Sequence, residues 1–134
     1  MITVTYVRGD RLRIEVRGHE MTTDQPVEDG GDDTAPTPTE MFVASLAACV
    51  AFYAERFLRR NGLSTEDLSV TSEYEWAENP HRVGTIELNV NAPGLTAAKR
   101  EAFSRVIERC TVHNSLHHPP AVHVRLAEPA IATQ

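Results

Sequence analysis

The stretch TPTEMFVASLAACVAFYAERFLRRNG, residues 37–62, decides the fold. Its first four residues have the form of a helix start. Thr37 can cap the helix, Pro38 suits the first helical position, and Glu40 falls where its carboxylate closes a capping box. Gly62 supplies a stop after about Asn61. The segment therefore predicts one helix roughly 36 Å long at ~1.5 Å per residue. From Met41 to Ala54 it is apolar almost all round, so burial on most sides is expected. Arg56, Arg59 and Arg60 in the last turns suit the negative end of the helix dipole. The stretch Phe42–Ala54 is Ala-rich and broken by Ser45, and it reads as too short and too weakly apolar to span a bilayer.

Upstream of this helix the pattern changes period. Ile2–Val7 alternates, Arg8-Gly9-Asp10 reads as a hairpin turn, and Arg11–Arg17 alternates again. There Leu12, Ile14 and Val16 lie on one side, and Arg11, Arg13, Glu15 and Arg17 on the other. A third short strand is expected near His19–Thr23. Asp24–Pro36 holds five acidic residues, two glycines and two prolines without periodicity, which predicts a loop. Downstream, strands are expected at Ser69–Trp76 and Thr85–Val90 around the turn Asn79-Pro80-His81. A second helix is expected from about Thr96 to Cys110, because Phe103, Val106, Ile107 and Cys110 form one apolar stripe. A turn at His113–Leu116 and a last strand at Ala121–Leu126 complete the reading.

This order of strands, long helix, strands, helix and strand predicts an α+β fold in a single domain spanning 1–134. A helix of this length, buried all round, is hard to cover within 134 residues. A second subunit would cover it, so an intertwined homodimer is expected. The formal net charge is −6 and the basic residues are dispersed, which argues against a nucleic-acid partner. The N-terminus has no basic segment followed by an apolar run, so a cytoplasmic location without a membrane partner is expected.

Two cysteines, Cys49 and Cys110, carry the chemical interest. In a reducing compartment they are either inert core residues or a working thiol pair. Their separation along the chain is not a motif in itself. Cys49 lies mid-helix among alanines. Cys110 is expected at a helix C-terminus, where the dipole disfavours an anion. Cys49 is thus the better nucleophile and Cys110 the better resolving thiol. Cys110, His113, His117 and His118 have loosely metal-like spacing, but nothing closes a tetrahedron. These histidines read as surface or interface residues, with neither metal nor cofactor expected.

PTEMFVASLAAC (38–49) resembles the central-helix signature of the OsmC/Ohr family, and GGDDTAPTP (30–38) resembles the loop leading into it. ERCTVHNSL (108–116) resembles the segment opened by the second family cysteine. The resemblance implies antiparallel sheets wrapped around a long buried central helix in an intertwined homodimer. It further implies a thiol peroxidase acting on organic hydroperoxides through Cys49 and Cys110, with active sites at the subunit interface. A dithiol reductant, such as a lipoylated protein, would restore the thiols. In the family an arginine in an N-terminal hairpin and a glutamate assist the reactive cysteine. The matching positions are Arg8, with Arg11 as the reserve, and Glu40. The family glutamate stands ten residues before the cysteine, where this chain has Thr39. Glu40 stands nine before, so it is either a helix cap or a catalytic group. This departure keeps open a non-catalytic ligand-binding dimer and a redox sensor.

Overall fold

In the computed structural model, which describes residues 1–130, the capping box forms as its sequence requires. Thr37 Oγ1 accepts from the Glu40 N–H at 3.0 Å, and Glu40 Oε1 accepts from the Thr37 N–H at 2.9 Å. The helix they open, α1 (Pro38–Arg60), ends at Asn61, and Gly62 follows at φ +66°. That left-handed value suits a residue without a Cβ.

The buried residues of α1 are Val43, Leu46, Val50, Ala54 and Leu58, spaced three or four apart. They form one stripe, as a helix of 3.6 residues per turn requires. The stripe packs on β4 (Ser69–Ala77) and β5 (Arg82–Asn91), an antiparallel pair, and on α2 (Arg100–Ile107) and α3 (Thr111–His117). Ala54 and Leu58 meet Phe103 of α2 in one core cluster, and Leu46 and Val50 meet Cys110 in another. Burying a side chain the size of leucine contributes about 1.5–3 kcal/mol. The opposite side of α1, with Phe42, Ala44, Ser45, Ala48 and Phe52, is exposed. Burial on most sides is therefore met on only one side within a single chain. By length and composition the whole of α1 is apolar enough to cross a membrane, a test that the core helix of a globular fold also passes. Its packed stripe makes it the core helix of this fold.

The N-terminal strands β1 (Ile2–Arg8), β2 (Arg11–Val16) and β3 (His19–Thr23) form a separate antiparallel sheet in the order β1-β2-β3. The register places Ile2 opposite Val16, Val4 opposite Ile14, Tyr6 opposite Leu12 and Ile14 opposite Met21. These residues share one apolar face, because side chains alternate across a strand. Among the described residues, the sheet makes no extensive contact with α1, with β4 and β5, or with the C-terminal helices. Ile2, Val4, Tyr6 and Met21 are accordingly exposed.

The loop between β3 and α1 is ordered by a buried carboxylate. Asp24 accepts from the Thr34 hydroxyl at 2.6 Å, the Thr34 N–H at 3.0 Å and the Gln25 N–H at 2.8 Å. These bonds, the Thr34 hydroxyl foremost, hold its carboxyl down at about 2 against the desolvation that opposes them. Arg11 pairs with Asp24 at 3.7 Å and with Asp32 at 3.3 Å. At Gly31 the loop passes so close to the Gln25 carbonyl that a Cβ would lie 2.1 Å from its oxygen.

Two expectations are corrected here. The helix expected to run to Cys110 ends at Ile107, and Cys110 instead starts α3. Cys110 has extended backbone (φ −68°, ψ 154°), so the apolar spacing continues across a break in the helix. The expected last strand, Ala121–Leu126, takes no strand structure. Among the described residues it finds no ladder partner, and Val122, Val124 and Leu126 are exposed.

Candidate functional site

Cys49 lies at the middle of α1, one residue before buried Val50 and three after buried Leu46. Cys110 reaches the same cluster from α3. Cys110 is fully buried with Leu46 and Val50, and Cys49, Tyr53, Ile86, Ile107 and Val112 pack against them. Cys49 itself is half-buried, and both thiols are free. The fold thus brings together two cysteines that lie on different helices, one partly open to solvent and one sealed.

The environments of the two thiols differ. Burial pushes the Cys110 pKa above its ordinary value. The His113 N–H pulls the other way, donating to Cys110 Sγ at 3.4 Å. The neighbouring Cys49 thiol raises the Cys110 pKa further. The sequence reading put Cys110 at a helix C-terminus, where the dipole opposes a thiolate. It in fact caps the N-terminus of α3, so burial, and not the dipole, keeps it protonated. A protonated, sealed thiol is a poor first nucleophile, since the thiolate is the reactive form.

Tyr53, one turn after Cys49, was not singled out in the sequence. Its hydroxyl lies 3.1 Å from Thr111 Oγ1 and ties α1 to the start of α3 beside the cysteines. Its place four residues after Cys49, hence on the same helix face, was the available signal. Below this cluster a cavity of about 370 Å³ is lined by Phe42, Leu46, Val83, Gly84, Thr85, Ile86, His113, Leu116 and His117. Leu46 and Ile86 belong to both the cavity and the thiol cluster.

The assisting residues stand elsewhere in a single chain. Arg8 ends β1, is exposed, and makes no ion pair among the described residues. Arg11 is committed to Asp24 and Asp32. Both belong to the sheet that stays apart from α1. Glu40 is bound into the capping box, and nine residues at about 100° each turn it to the side of α1 opposite Cys49. Within one chain no arginine of the N-terminal hairpin and no Glu40 carboxylate is brought to Cys49.

A model of OsmC-like proteins matches residues 30–125, a span that holds both cysteines. No curated protein matches the chain. Among solved structures, a candidate osmotic-stress-induced and detoxification-response protein from Psychrobacter arcticus is 23% identical. That match covers 85% of each chain with a TM-score of 0.77. An organic hydroperoxide resistance protein OsmC from Legionella pneumophila is 24% identical over 87% of this chain and 88% of its own, with a TM-score of 0.65. An OsmC-like protein from Mycoplasma pneumoniae is 19% identical over 89% and 87%, with a TM-score of 0.72. At these identities the likeness establishes the shared fold.

Proposed function

The chain belongs to the OsmC-like protein family, and from that premise we propose that it is a thiol peroxidase of organic hydroperoxides using Cys49 and Cys110. The observation that carries the reading is the meeting of two free cysteines from separate helices in one apolar cluster, with only Cys49 accessible. A Cys49 thiolate attacks the distal oxygen of the hydroperoxide. The O–O bond breaks, Cys49 becomes a sulfenic acid, and the alkoxide takes up a proton and leaves as the alcohol. The Cys110 thiol then condenses with the sulfenic acid, so that an S–S bond forms and water leaves. An external dithiol, such as a lipoylated protein, returns two electrons and two protons. The apolar surroundings of the thiols favour an organic hydroperoxide over hydrogen peroxide.

The working unit in this reading is an intertwined homodimer. Its support is the uncovered apolar face of β1-β2-β3 and the equally uncovered side of α1 at Phe42, Ala48 and Phe52. Monomers rarely leave contiguous apolar surface of this kind in water. The sheet of one subunit laid on α1 of the other covers both. It also gives Arg8 of the partner subunit a route to Cys49 that a single chain does not provide. The cytoplasm, with its reducing thiol pool, is the compartment this cycle requires.

A non-catalytic apolar-ligand dimer is the second reading. It draws on Glu40 being a cap and on the cavity beside the thiols. The test between the two is cumene hydroperoxide consumption with a dithiol present. Wild type turns over, and Cys49→Ser falls to the buffer rate. Equal consumption by the two proteins refutes the peroxidase reading.

A further inference from the structure

The segment Cys110-x2-His113-x3-His117-His118 is divided by the fold, and one part of it is left without a role in the thiol chemistry. Cys110 turns inward to the core and His118 follows the last turn of α3. His113 and His117 stand one turn apart on α3. Their Nε2 atoms are 2.7 Å apart, with ring centroids at 4.5 Å and planes inclined by 60°. The two imidazoles therefore share one hydrogen bond, one Nε2 donating and the other accepting.

Each neutral imidazole has one N–H and one lone pair. Moving both protons to Nδ1 breaks that hydrogen bond and frees both Nε2 lone pairs for an ion. A tetrahedral ion with nitrogen ligands at about 2.0–2.1 Å requires a nitrogen–nitrogen separation of about 3.3 Å. Opening the observed pair by about half an ångström, through side-chain rotation of His117 on the exposed side of α3, meets that requirement. Histidines at i and i+4 on one helix face are a recurrent zinc-binding arrangement, and imidazole suits zinc, copper and nickel. Both rings also line the cavity walled by Phe42, Leu46, Ile86 and Leu116. No group of three or more histidine, cysteine or carboxylate side chains could hold an ion among the described residues. Only two protein ligands are thus available, and water fills the other positions.

We propose that His113 and His117 form a two-histidine site for a divalent transition ion on the wall of this cavity. The site is independent of the thiol cycle, and its test removes the thiols. Zinc is titrated calorimetrically into the Cys49→Ser/Cys110→Ser protein. One saturable ion per chain is expected. Losing even an outer partner of a metal-bound histidine costs about 10–100-fold in affinity, so His113→Gln and His117→Gln each weaken binding at least tenfold. His118→Gln leaves it unchanged. Absence of saturable binding, or binding indifferent to His113→Gln and His117→Gln, overturns the proposal and leaves the close contact as a shared proton. A second measurement avoids the cysteine substitutions. Cobalt bound to the reduced wild-type protein is expected to give ligand-field bands without the intense near-ultraviolet thiolate-to-metal band. Appearance of that band assigns the ion to the cysteines and overturns the proposal equally.

Discussion

The two halves of this chain are built from equally regular secondary structure but differ in what they pack against. Residues 38–117 form a body with a core of their own, in which α1 lies against two strands and two helices. Residues 2–23 form a well-registered sheet whose apolar face makes no extensive contact with the rest of the described residues. The first half holds the thiols, and the second holds the arginines that the family resemblance points to. Regular backbone pairing is thus no sign that a region is complete. A sheet can satisfy its hydrogen bonds and still have its hydrophobic face uncovered, the observation behind the proposed dimer.

The strongest way to break this contrast is to place a charge at the centre of the uncovered face. Val4→Asp is expected to convert the proposed dimer to monomer, read as a halved mass by light scattering, while far-ultraviolet dichroism keeps the helical signal of residues 38–117. A dimer of unchanged stability would mean that this sheet is not the interface. The next test asks whether the N-terminal half reaches the thiol of the other subunit. A hydrogen bond to a charged group is worth about 1.5–3 kcal/mol. Arg8→Ala should then slow Cys49 oxidation about 10–100-fold with the dimer intact. Glu40→Gln preserves the capping box and is the control, and it leaves the rate and Tm close to wild type. A rate loss with Glu40→Gln as large as with Arg8→Ala would make Glu40 more than a cap.

The smallest effect concerns the joint between the halves. Asp24 has a carboxyl held at about 2, against an ordinary value of 3.8. A folded-state value below the unfolded one contributes stability that is present above about pH 4 and lost as the pH falls towards 2. Asp24→Asn should therefore lower Tm at neutral pH and flatten the pH dependence between those limits. Thermal melts of the two proteins from pH 2 to 7 check it, and parallel curves would contradict it.

What the sequence reveals follows the same division. The long helix is legible because its start and stop are local chemistry, at Thr37, Glu40 and Gly62. The strands are legible from alternation. Where β1-β2-β3 docks is not, because an amphipathic strand specifies a buried face and not its partner. The place of Cys110 is misread because the apolar spacing Phe103, Val106, Ile107, Cys110 runs on across the turn at Glu108 and Arg109 to an extended Cys110. Asp24 escapes notice among five acidic residues of a polar loop, since nothing local marks which one is buried. The alternation of Ala121–Leu126 is real, but a strand needs a neighbour, and the described residues supply none. The nearness of Cys49 and Cys110 depends on α3 folding back on α1, a tertiary fact beyond any spacing rule.

Electron exchange between Cys49 and Cys110 is the centre of the proposed function. Peptide mapping of the protein after one equivalent of cumene hydroperoxide tests it most directly. The predicted result is an intrachain Cys49–Cys110 disulfide with loss of both free thiols. Persistence of two free thiols, or Cys49 driven to sulfinic acid with Cys110 still reduced, would contradict it.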